Sequence, residues 1–226
     1  FASVRDQREQ LDLLLKLNNV HKGKRQDDDD LEARIKTFEL AYRMQTDARE
    51  AFDVSLEKPE TITKYGDNPQ GRQMLIARRL LERDVRFVQV WQGGWDLHNG
   101  IAQRAQRNAD QLDPAIGAII DDLKERGLFE DTLIYITSEF GRSVTEDGGG
   151  GRSHNARALS TVLLGGGIKG GIAYGETDEL GGAAVKDKAH VKDIHATVLD
   201  LLGFDHEQLT FNTAGRDFRL TQATNS

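Results

Sequence analysis

An amphipathic helix between two apolar runs is the feature that most constrains the fold of this chain. Apolar residues recur at helical spacing over residues 109–126, and Gly127 stands where a C-terminal cap belongs. The flanking runs, residues 85–91 and 132–137, are rich in β-branched and aromatic residues, which favour strands. A strand, a helix and a strand in this order predict two parallel strands joined by a right-handed crossover.

The first of these runs leads into a carboxylate and an imidazole. Two glycines follow the run, and Asp96-Leu97-His98 comes directly after Trp95. In open α/β sheets, ligands bind beyond the carboxyl ends of the strands, where two side chains two residues apart can face one cation. An oxygen ligand combined with a neutral imidazole suits zinc, manganese or iron better than calcium. The alternative is a turn in which Asp96 caps backbone amides and His98 lies in solvent.

The second run ends in a similar way. It leads into Glu-Phe-Gly-Arg at residues 139–142, and a glycine-rich stretch then leads into Arg-Ser-His at residues 152–154 and an apolar run at residues 159–164. With these strands side by side, four potential metal ligands share one edge of the sheet: Asp96, His98, Glu139 and His154. Arginine matches tetrahedral oxyanions through its planar donor fork. Arg142 and Arg152 beside such ligands therefore indicate a site for a phosphate or sulfate ester.

These motifs carry a resemblance that extends over nearly the whole chain from about Leu31 onward. The chain resembles an uncharacterised bacterial sulfatase-like family of the alkaline phosphatase superfamily, because several unrelated short motifs occur in the order expected for it. The matching stretches lie at residues 41–45, 77–82, 94–98, 139–142, 151–154, 165–171, 174–179 and 193–197.

The resemblance implies a three-layer α/β/α fold with a mostly parallel sheet and a metal centre at one sheet edge. We expect one domain over residues 1–226 that forms the C-terminal portion of a longer protein, with a mainly helical part at residues 1–69. The first strand and the nucleophile of the superfamily would then lie outside this chain, which leaves the sheet incomplete and the catalytic residue unassigned. The alternative is a complete small protein with a reduced sheet.

The resemblance also implies roles for individual residues. In the wider superfamily one metal ion is held by an aspartate and two histidines, and Asp96, His98 and His154 match those positions. A second ion is held by an Asp-His pair, and Glu139 stands in place of its aspartate. Two positions depart from the pattern: Phe140 replaces the histidine of that pair, and Ser153 replaces an acid. The implied cofactor is a divalent metal, zinc or manganese.

Composition and net charge argue against several classes of partner and of chemistry. A formal net charge of −7 argues against nucleic acid or an anionic membrane as the main partner. No stretch approaches the roughly 18 apolar residues of a transmembrane segment. Cysteine is absent, so the chain has no disulfide, thiolate ligand or cysteine nucleophile. Nor does it contain the Cys/Ser-x-Pro-x-Arg sequence of formylglycine sulfatases. The compartment stays open, and the resemblance suggests export, for example to the periplasm.

Other residues are weaker candidates. His190 and His195 lie at a predicted helix over residues 193–202, where a histidine is usually structural. The glycine run at residues 165–171 lacks the ending of a phosphate-binding loop, and we expect it to form a tight turn that lets the backbone approach the site. Four hydroxyls near the motifs have no obvious partner base and are weak nucleophile candidates: Ser138, Ser143, Thr145 and Ser153.

We therefore expect a metal-dependent hydrolase of phosphate or sulfate esters, acting on a small anionic ester or on a sulfated or phosphorylated glycan. The metal would polarise the ester oxygen, and Arg142 or Arg152 would bind equatorial oxygens. The alternative is a non-catalytic binding module of the same fold that recognises an anionic glycan or a protein partner. Phe140 and Ser153, which stand in place of polar ligands, motivate this alternative.

Overall fold

The computed structural model describes residues 49–221 without a gap, together with residues 6, 9, 10, 12–14, 16, 17, 33, 36 and 37. Much of the helical part predicted for residues 1–69 therefore lies outside the described residues. The chain divides into two compact units. One consists of residues 1–62 and 75–89, and the other of residues 63–74 and 90–226.

Over residues 49–221 a helical part comes first and is followed by six short strands, one further helix and two strands. The α-helices are α1 (Arg49–Phe52), α2 (Pro59–Tyr65), α3 (Pro69–Leu81), α4 (Ile101–Glu125) and α5 (Val191–Leu201), and a 3-10 helix spans Val54–Leu56. The strands are β1 (Ile134–Ile136), β2 (Gly141–Asp147), β3 (Gly151–Asn155), β4 (Val162–Leu164), β5 (Glu176–Thr177), β6 (Ala184–Lys186), β7 (Thr210–Thr213) and β8 (Arg216–Arg219). None of the described helices combines the length and low charge needed to cross a bilayer.

The helix predicted at residues 109–126 is confirmed as the C-terminal part of α4. The helix begins earlier than predicted, at Ile101. Residues 101–108 were not predicted as helix because they are mostly polar and show no apolar stripe. Arg126 is the C-cap residue of α4. Gly127 follows it with a φ of 68°, a backbone conformation that favours glycine. The buried face of α4 includes Ala115, Ala118, Ile119 and Leu123.

The expected three-layer α/β/α fold with a mostly parallel sheet is wrong for the described part of the chain. The eight strands form four separate two-stranded sheets, and every pair is antiparallel: β1–β4, β2–β3, β5–β6 and β7–β8. Parallel strands need a crossover connection, usually a helix. Between β1 and β4 the chain instead folds into the β2–β3 hairpin, which returns β4 antiparallel to β1.

The predicted strand at residues 85–91 is also wrong, since these residues form no strand. A strand in a parallel sheet is covered on both faces and must be apolar throughout. This run carries Arg86 and Gln89, and its largest side chains, Phe87 and Trp91, are 75% and 74% exposed. The predicted strand–helix–strand unit therefore lacks its first strand. The second is confirmed in shortened form as β1.

The first unit is held together by an ionic cluster around Glu57. Its carboxylate pairs with Arg78 at 2.9 Å and also with Arg79. Arg79 donates further hydrogen bonds to the carbonyl oxygens of Glu50 and Ala51. Both arginine side chains are buried, and their burial is compensated by the Glu57 carboxylate and, for Arg78, also by the Glu82 carboxylate at 2.7 Å.

A buried carboxylate also organises the second unit, where α2 meets α4. The Tyr65 hydroxyl and the Lys64 ammonium donate to the two oxygens of Asp122, each at 2.9 Å. Arg126 lies 3.7 Å from the same carboxylate. Asp122 and Tyr65 are buried. These contacts hold the C-terminal end of α2 against the C-terminal part of α4.

Candidate metal centre

The segment that carries Asp96 and His98 is anchored by the residue between them. Leu97 is only 2% exposed, whereas Asp96 is exposed and His98 half-buried. The Leu97 carbonyl accepts a hydrogen bond from the Arg152 amide at 2.9 Å. Burial of the middle side chain and fixation of its backbone leave the carboxylate and the imidazole on the open side.

The β2–β3 hairpin supplies the other half of the site. Arg142 and His154 are cross-strand partners, as are Asp147 and Gly151. Partners in an antiparallel pair project their side chains from the same face. The turn at residues 148–150 contains two glycines at φ values of 86° and 77°. The hairpin thus places a guanidinium beside an imidazole without any help from a parallel sheet.

Two glycines of the motifs are required by close approach of the backbone. A Cβ at Gly151 would lie 1.9 Å from the carbonyl carbon of His98. A Cβ at Gly141 would lie 1.9 Å from the carbonyl oxygen of Ala158. In both places the other group is backbone, which cannot move aside as a flexible side chain could. Gly151 therefore lets the hairpin dock on the segment that carries His98.

These elements bring three of the four predicted metal ligands together. One ligand atom each from Asp96, His98 and His154 lies within 4.8 Å of the others. Asp96 Oδ1 lies 3.0 Å from His98 Nε2 and 3.0 Å from His154 Nε2. Arg142 Nη1 donates to the same oxygen at 2.7 Å. One carboxylate oxygen is thus the focus of two imidazoles and a guanidinium.

The electrostatics of the cluster follow from this focus. Arg142 first, and His154 second, hold the pKa of the Asp96 carboxyl at about 2, so the group is ionised at neutral pH. The Asp147 carboxylate raises the pKa of His98, and Asp96 adds to the effect. An unprotonated Nε2 and a carboxylate oxygen both carry lone pairs, so a proton or a cation between the two atoms stabilises each 3.0 Å contact.

The donor set fits a divalent transition metal. Ligand bonds of about 2.0–2.1 Å in a tetrahedral site place neighbouring ligand atoms about 3.3 Å apart. The two 3.0 Å separations around Asp96 Oδ1 are close to that value. Two imidazoles and one carboxylate are a ligand set found in zinc enzymes, with the fourth position left for water or substrate.

Asp147 is a site residue that sequence reasoning missed. Its Oδ2 lies 2.6 Å from His98 Nδ1, the ring nitrogen on the far side from Asp96. Histidine ligands commonly use their second nitrogen in this way. The residue lies in the acidic stretch Thr-Glu-Asp before the glycine run, which by itself reads as a solvated turn. Only the hairpin register places it opposite Gly151, next to His98.

An aromatic ring flanks the cluster. The Phe140 ring lies 4.2 Å from the His154 ring, with 32° between the planes, and the Arg142 guanidinium lies 5.4 Å from the Phe140 centroid. The ring therefore contacts both residues of the cross-strand pair. Phe140 stands where the resemblance implies a histidine ligand of a second metal. In this structure its ring instead packs against His154 and Arg142.

The other two predicted site residues lie outside the group of three. Glu139 is exposed, and its carboxylate is not among the three converging ligand atoms. Arg152 is half-buried and donates to the neighbouring Gly151 carbonyl at 2.8 Å. Their roles as metal ligand and substrate ligand stay predictions.

The weaker candidates take local roles. His190 is the N-cap of α5, where its Nδ1 accepts from the Lys192 amide at 3.2 Å and Asp193 completes a capping box. The Ser138 hydroxyl donates to the Phe140 carbonyl at 3.0 Å. Within the predicted turn at residues 165–171, the glycines at residues 165–167 have positive φ values, and the Gly166 amide donates to the Phe129 carbonyl at 3.1 Å. The backbone there approaches the residues that precede β1, and not the group of Asp96, His98 and His154 as predicted.

Comparison with known proteins gives one positive result. No curated protein matches the chain, and no solved structure matches it. A family match covers residues 2–226, from the predicted helical part through both motif regions to the end of the chain. The chain therefore belongs to the family described as "Protein of unknown function (DUF1501)".

Proposed function

We propose that the chain carries the metal centre of a hydrolase that acts on phosphate or sulfate esters. Zinc, or manganese as the second choice, would be held by Asp96, His98 and His154. The single observation that supports this is the convergence of one carboxylate oxygen and two imidazole nitrogens within 4.8 Å. A bound divalent ion would supply Lewis acidity towards an ester oxygen.

The role proposed for Arg142 follows from its place beside the ligands. Its guanidinium already binds an anion, the Asp96 carboxylate, at 2.7 Å. An ester oxyanion that approaches the same place meets a donor fork suited to two of its oxygens. The Phe140 centroid lies 5.4 Å from the guanidinium carbon, and a ring in this place would lower the entropy lost when the oxyanion binds. Arg142 is therefore proposed to bind and orient the substrate.

A binding module for anionic ligands is the second candidate. The Ser143 hydroxyl beside the site bonds to the hairpin backbone: it donates to the Thr145 carbonyl at 2.8 Å and accepts from the Ser153 amide at 3.1 Å. Neither bond activates a nucleophile, which would need a base at the hydroxyl. Charge complementarity for an oxyanion survives without a nucleophile, so binding can persist where catalysis is slow.

Metal retention tests the proposal. The chain is dialysed against ZnCl2 or MnCl2 and then against buffer, and bound metal is measured by mass spectrometry. We expect about one ion per chain in the wild type and a loss in His98→Ala and His154→Ala. The matched control is His195→Ala, which removes an exposed imidazole from α5. A wild type that retains no more metal than His154→Ala contradicts the proposal.

Turnover separates the two candidates. Aryl phosphate and aryl sulfate are supplied to the metal-loaded wild type, to His154→Ala and to His195→Ala. Turnover that disappears only in His154→Ala supports the hydrolase. Stoichiometric metal and phosphate binding without turnover would limit the activity of this chain to binding.

A further inference from the structure

His98 lies between two carboxylates, and their contacts are unequal. Asp147 Oδ2 is 2.6 Å from His98 Nδ1, whereas Asp96 Oδ1 is 3.0 Å from His98 Nε2. The Asp96 oxygen is also shared with Arg142 and His154. Asp147 thus makes the shorter contact, and its oxygen contacts the ring nitrogen on the far side from Asp96.

Three backbone features place Asp147 at this nitrogen. Asp147 and Gly151 are cross-strand partners at the end of the β2–β3 hairpin. Gly151 lies against the backbone of His98, in a space that no side chain could share. Asn99, the next residue, forms an antiparallel bridge with Gly150. The same docking that brings His154 to Asp96 therefore brings Asp147 to the other side of His98.

The consequence for the imidazole is chemical as well as geometric. When one nitrogen donates its proton to a carboxylate, the other carries the lone pair that a metal requires. A proton held on Nδ1 by Asp147 leaves the Nε2 lone pair directed at the centre of the cluster. Without Asp147, the nearest carboxylate would be Asp96, which would favour the proton on Nε2 and block that ligand position.

We propose that Asp147 is a positioning residue that holds the His98 ring in the Nδ1–H form, with Nε2 directed at the metal position. The inference deepens the proposed function and rests on it for the role of Nε2. The orientation of the ring itself depends only on contacts within this chain. The two can therefore fail separately.

The first experiment observes the ring without any metal. Long-range nitrogen–proton NMR of the metal-free chain, at a pH at which the ring is neutral, reports which nitrogen of His98 carries the proton. We expect Nδ1–H in the wild type, because the one proton of the neutral ring goes to the shorter contact and Asp96 is already bonded to Arg142. In Asp147→Ala we expect a shift towards Nε2–H. Asp147→Asn should restore Nδ1–H, because an amide oxygen accepts the same hydrogen bond. Glu146→Gln, which removes a neighbouring charge from β2, is the matched control and should leave the proton on Nδ1.

The second experiment measures zinc affinity of the same variants by competition with a chelator. We expect a loss of roughly 10–100-fold in Asp147→Ala, the usual effect of removing such a partner, and a smaller loss in Asp147→Asn. Glu146→Gln should stay within about 2-fold of the wild type, as expected for an exposed charge. Circular dichroism of the metal-free variants checks that each one is folded.

Each outcome of the two experiments supports or overturns a specific claim. Nε2–H in the wild type, or the same form in wild type and Asp147→Ala, overturns the inference whatever the zinc affinity. If Asp147→Ala does not fold, the Nδ1 proton resonance still decides the question, because it should move upfield in Asp147→Asn, where a neutral amide oxygen replaces the carboxylate; an unchanged resonance would overturn the inference. Nδ1–H in a wild type that binds no zinc would leave the role of Asp147 intact and overturn the proposed metal centre.

Discussion

Gly151 and His98 touch through their backbones, and no side chain fits between them. A Cβ at position 151 would lie 2.1 Å from the His98 carbonyl oxygen and 2.4 Å from the Asn99 amide nitrogen. This contact joins the two halves of the site, because β3 carries His154 and the facing segment carries Asp96 and His98. A glycine in the motif Gly-Arg-Ser-His is thus a structural requirement of the cluster.

Gly151→Ala should therefore separate the two halves of the site. The added methyl group must displace backbone, at a cost of about 1–3 kcal/mol, and the displacement moves His154 away from Asp96. We expect a lower unfolding temperature and at least about 10-fold weaker zinc binding, measured by calorimetry and by competition with a chelator. Gly148→Ala is the matched control, since a Cβ there meets nothing within 4 Å. Equal zinc affinities for both variants would show that the contact does not support the site.

Loss of the Glu57 carboxylate should destabilise the first unit. Removing one partner of a buried ion pair leaves the other charge uncompensated and typically costs about 3–5 kcal/mol. In Glu57→Gln the buried Arg79 loses its carboxylate partner, whereas Arg78 keeps its pairing with Glu82 at 2.7 Å. We expect a clear decrease in the free energy of unfolding in urea. Glu60→Gln on α2, an exposed position, should change it by less than about 0.5 kcal/mol. A small effect at Glu57 would mean that other groups compensate the two guanidinium charges.

The acid sensitivity of folding should depend in part on Asp122. Burial raises the pKa of this carboxyl, but Lys64 and Tyr65 lower it by more, so its pKa in the folded state lies below the ordinary value of 3.8. Its contribution to stability is complete above 3.8 and is lost as the pH falls through the lower, folded-state pKa. Asp122→Asn should therefore reduce stability at pH 6 and weaken its decline below pH 4.

Urea midpoints between about pH 3 and pH 6 measure this difference. Asp113→Asn, an exposed position on α4, is the control and should keep the slope of the wild type. An Asp122→Asn variant that loses stability with the same slope as the wild type would exclude a pH-dependent role for this carboxylate.

Local signals in the sequence predicted more than the long-range ones did. The helix at residues 109–126 and the strand now seen at residues 134–136 follow from periodicity and β-branched content, which act over one element. The parallel sheet depended on residues 85–91 being buried, and a run that includes Arg86 and Gln89 does not show from its own residues what would cover it. Strand pairing is decided by such coverage, so the sheet could not be predicted from short runs.

The candidate site was predictable for a different reason. The convergence of Asp96, His98 and His154 was expected from a shared sheet edge, but it arises from the docking of a hairpin. The motif glycines were visible in the sequence, and their close approaches explain the docking. The contact of Asp147 with His98 could not be predicted, because it depends on the register of the β2–β3 hairpin. The turn of this hairpin is a run of glycines, from which the register cannot be read.

Arg142 should contribute more to oxyanion binding than Arg152. The Arg142 guanidinium lies at the cluster, on Asp96 Oδ1, whereas Arg152 donates to a carbonyl of its own hairpin. A hydrogen bond between charged groups contributes about 1.5–3 kcal/mol, so Arg142→Ala should weaken phosphate binding to the zinc-loaded chain by about 10-fold or more. Arg142→Lys should recover only part of this, because an ammonium lacks the planar fork.

Isothermal calorimetry with inorganic phosphate, and separately with sulfate, measures these affinities. We expect a loss of about 3-fold or less in Arg152→Ala. Arg104→Ala, which removes an exposed positive charge that bonds to Asn99 at the start of α4, should change affinity by less than about 2-fold. A larger loss in Arg152→Ala than in Arg142→Ala would assign the oxyanion to the other arginine. Equal small losses in all three variants would mean that the anion binds through the metal alone, because no single guanidinium would then be in contact with its oxygens.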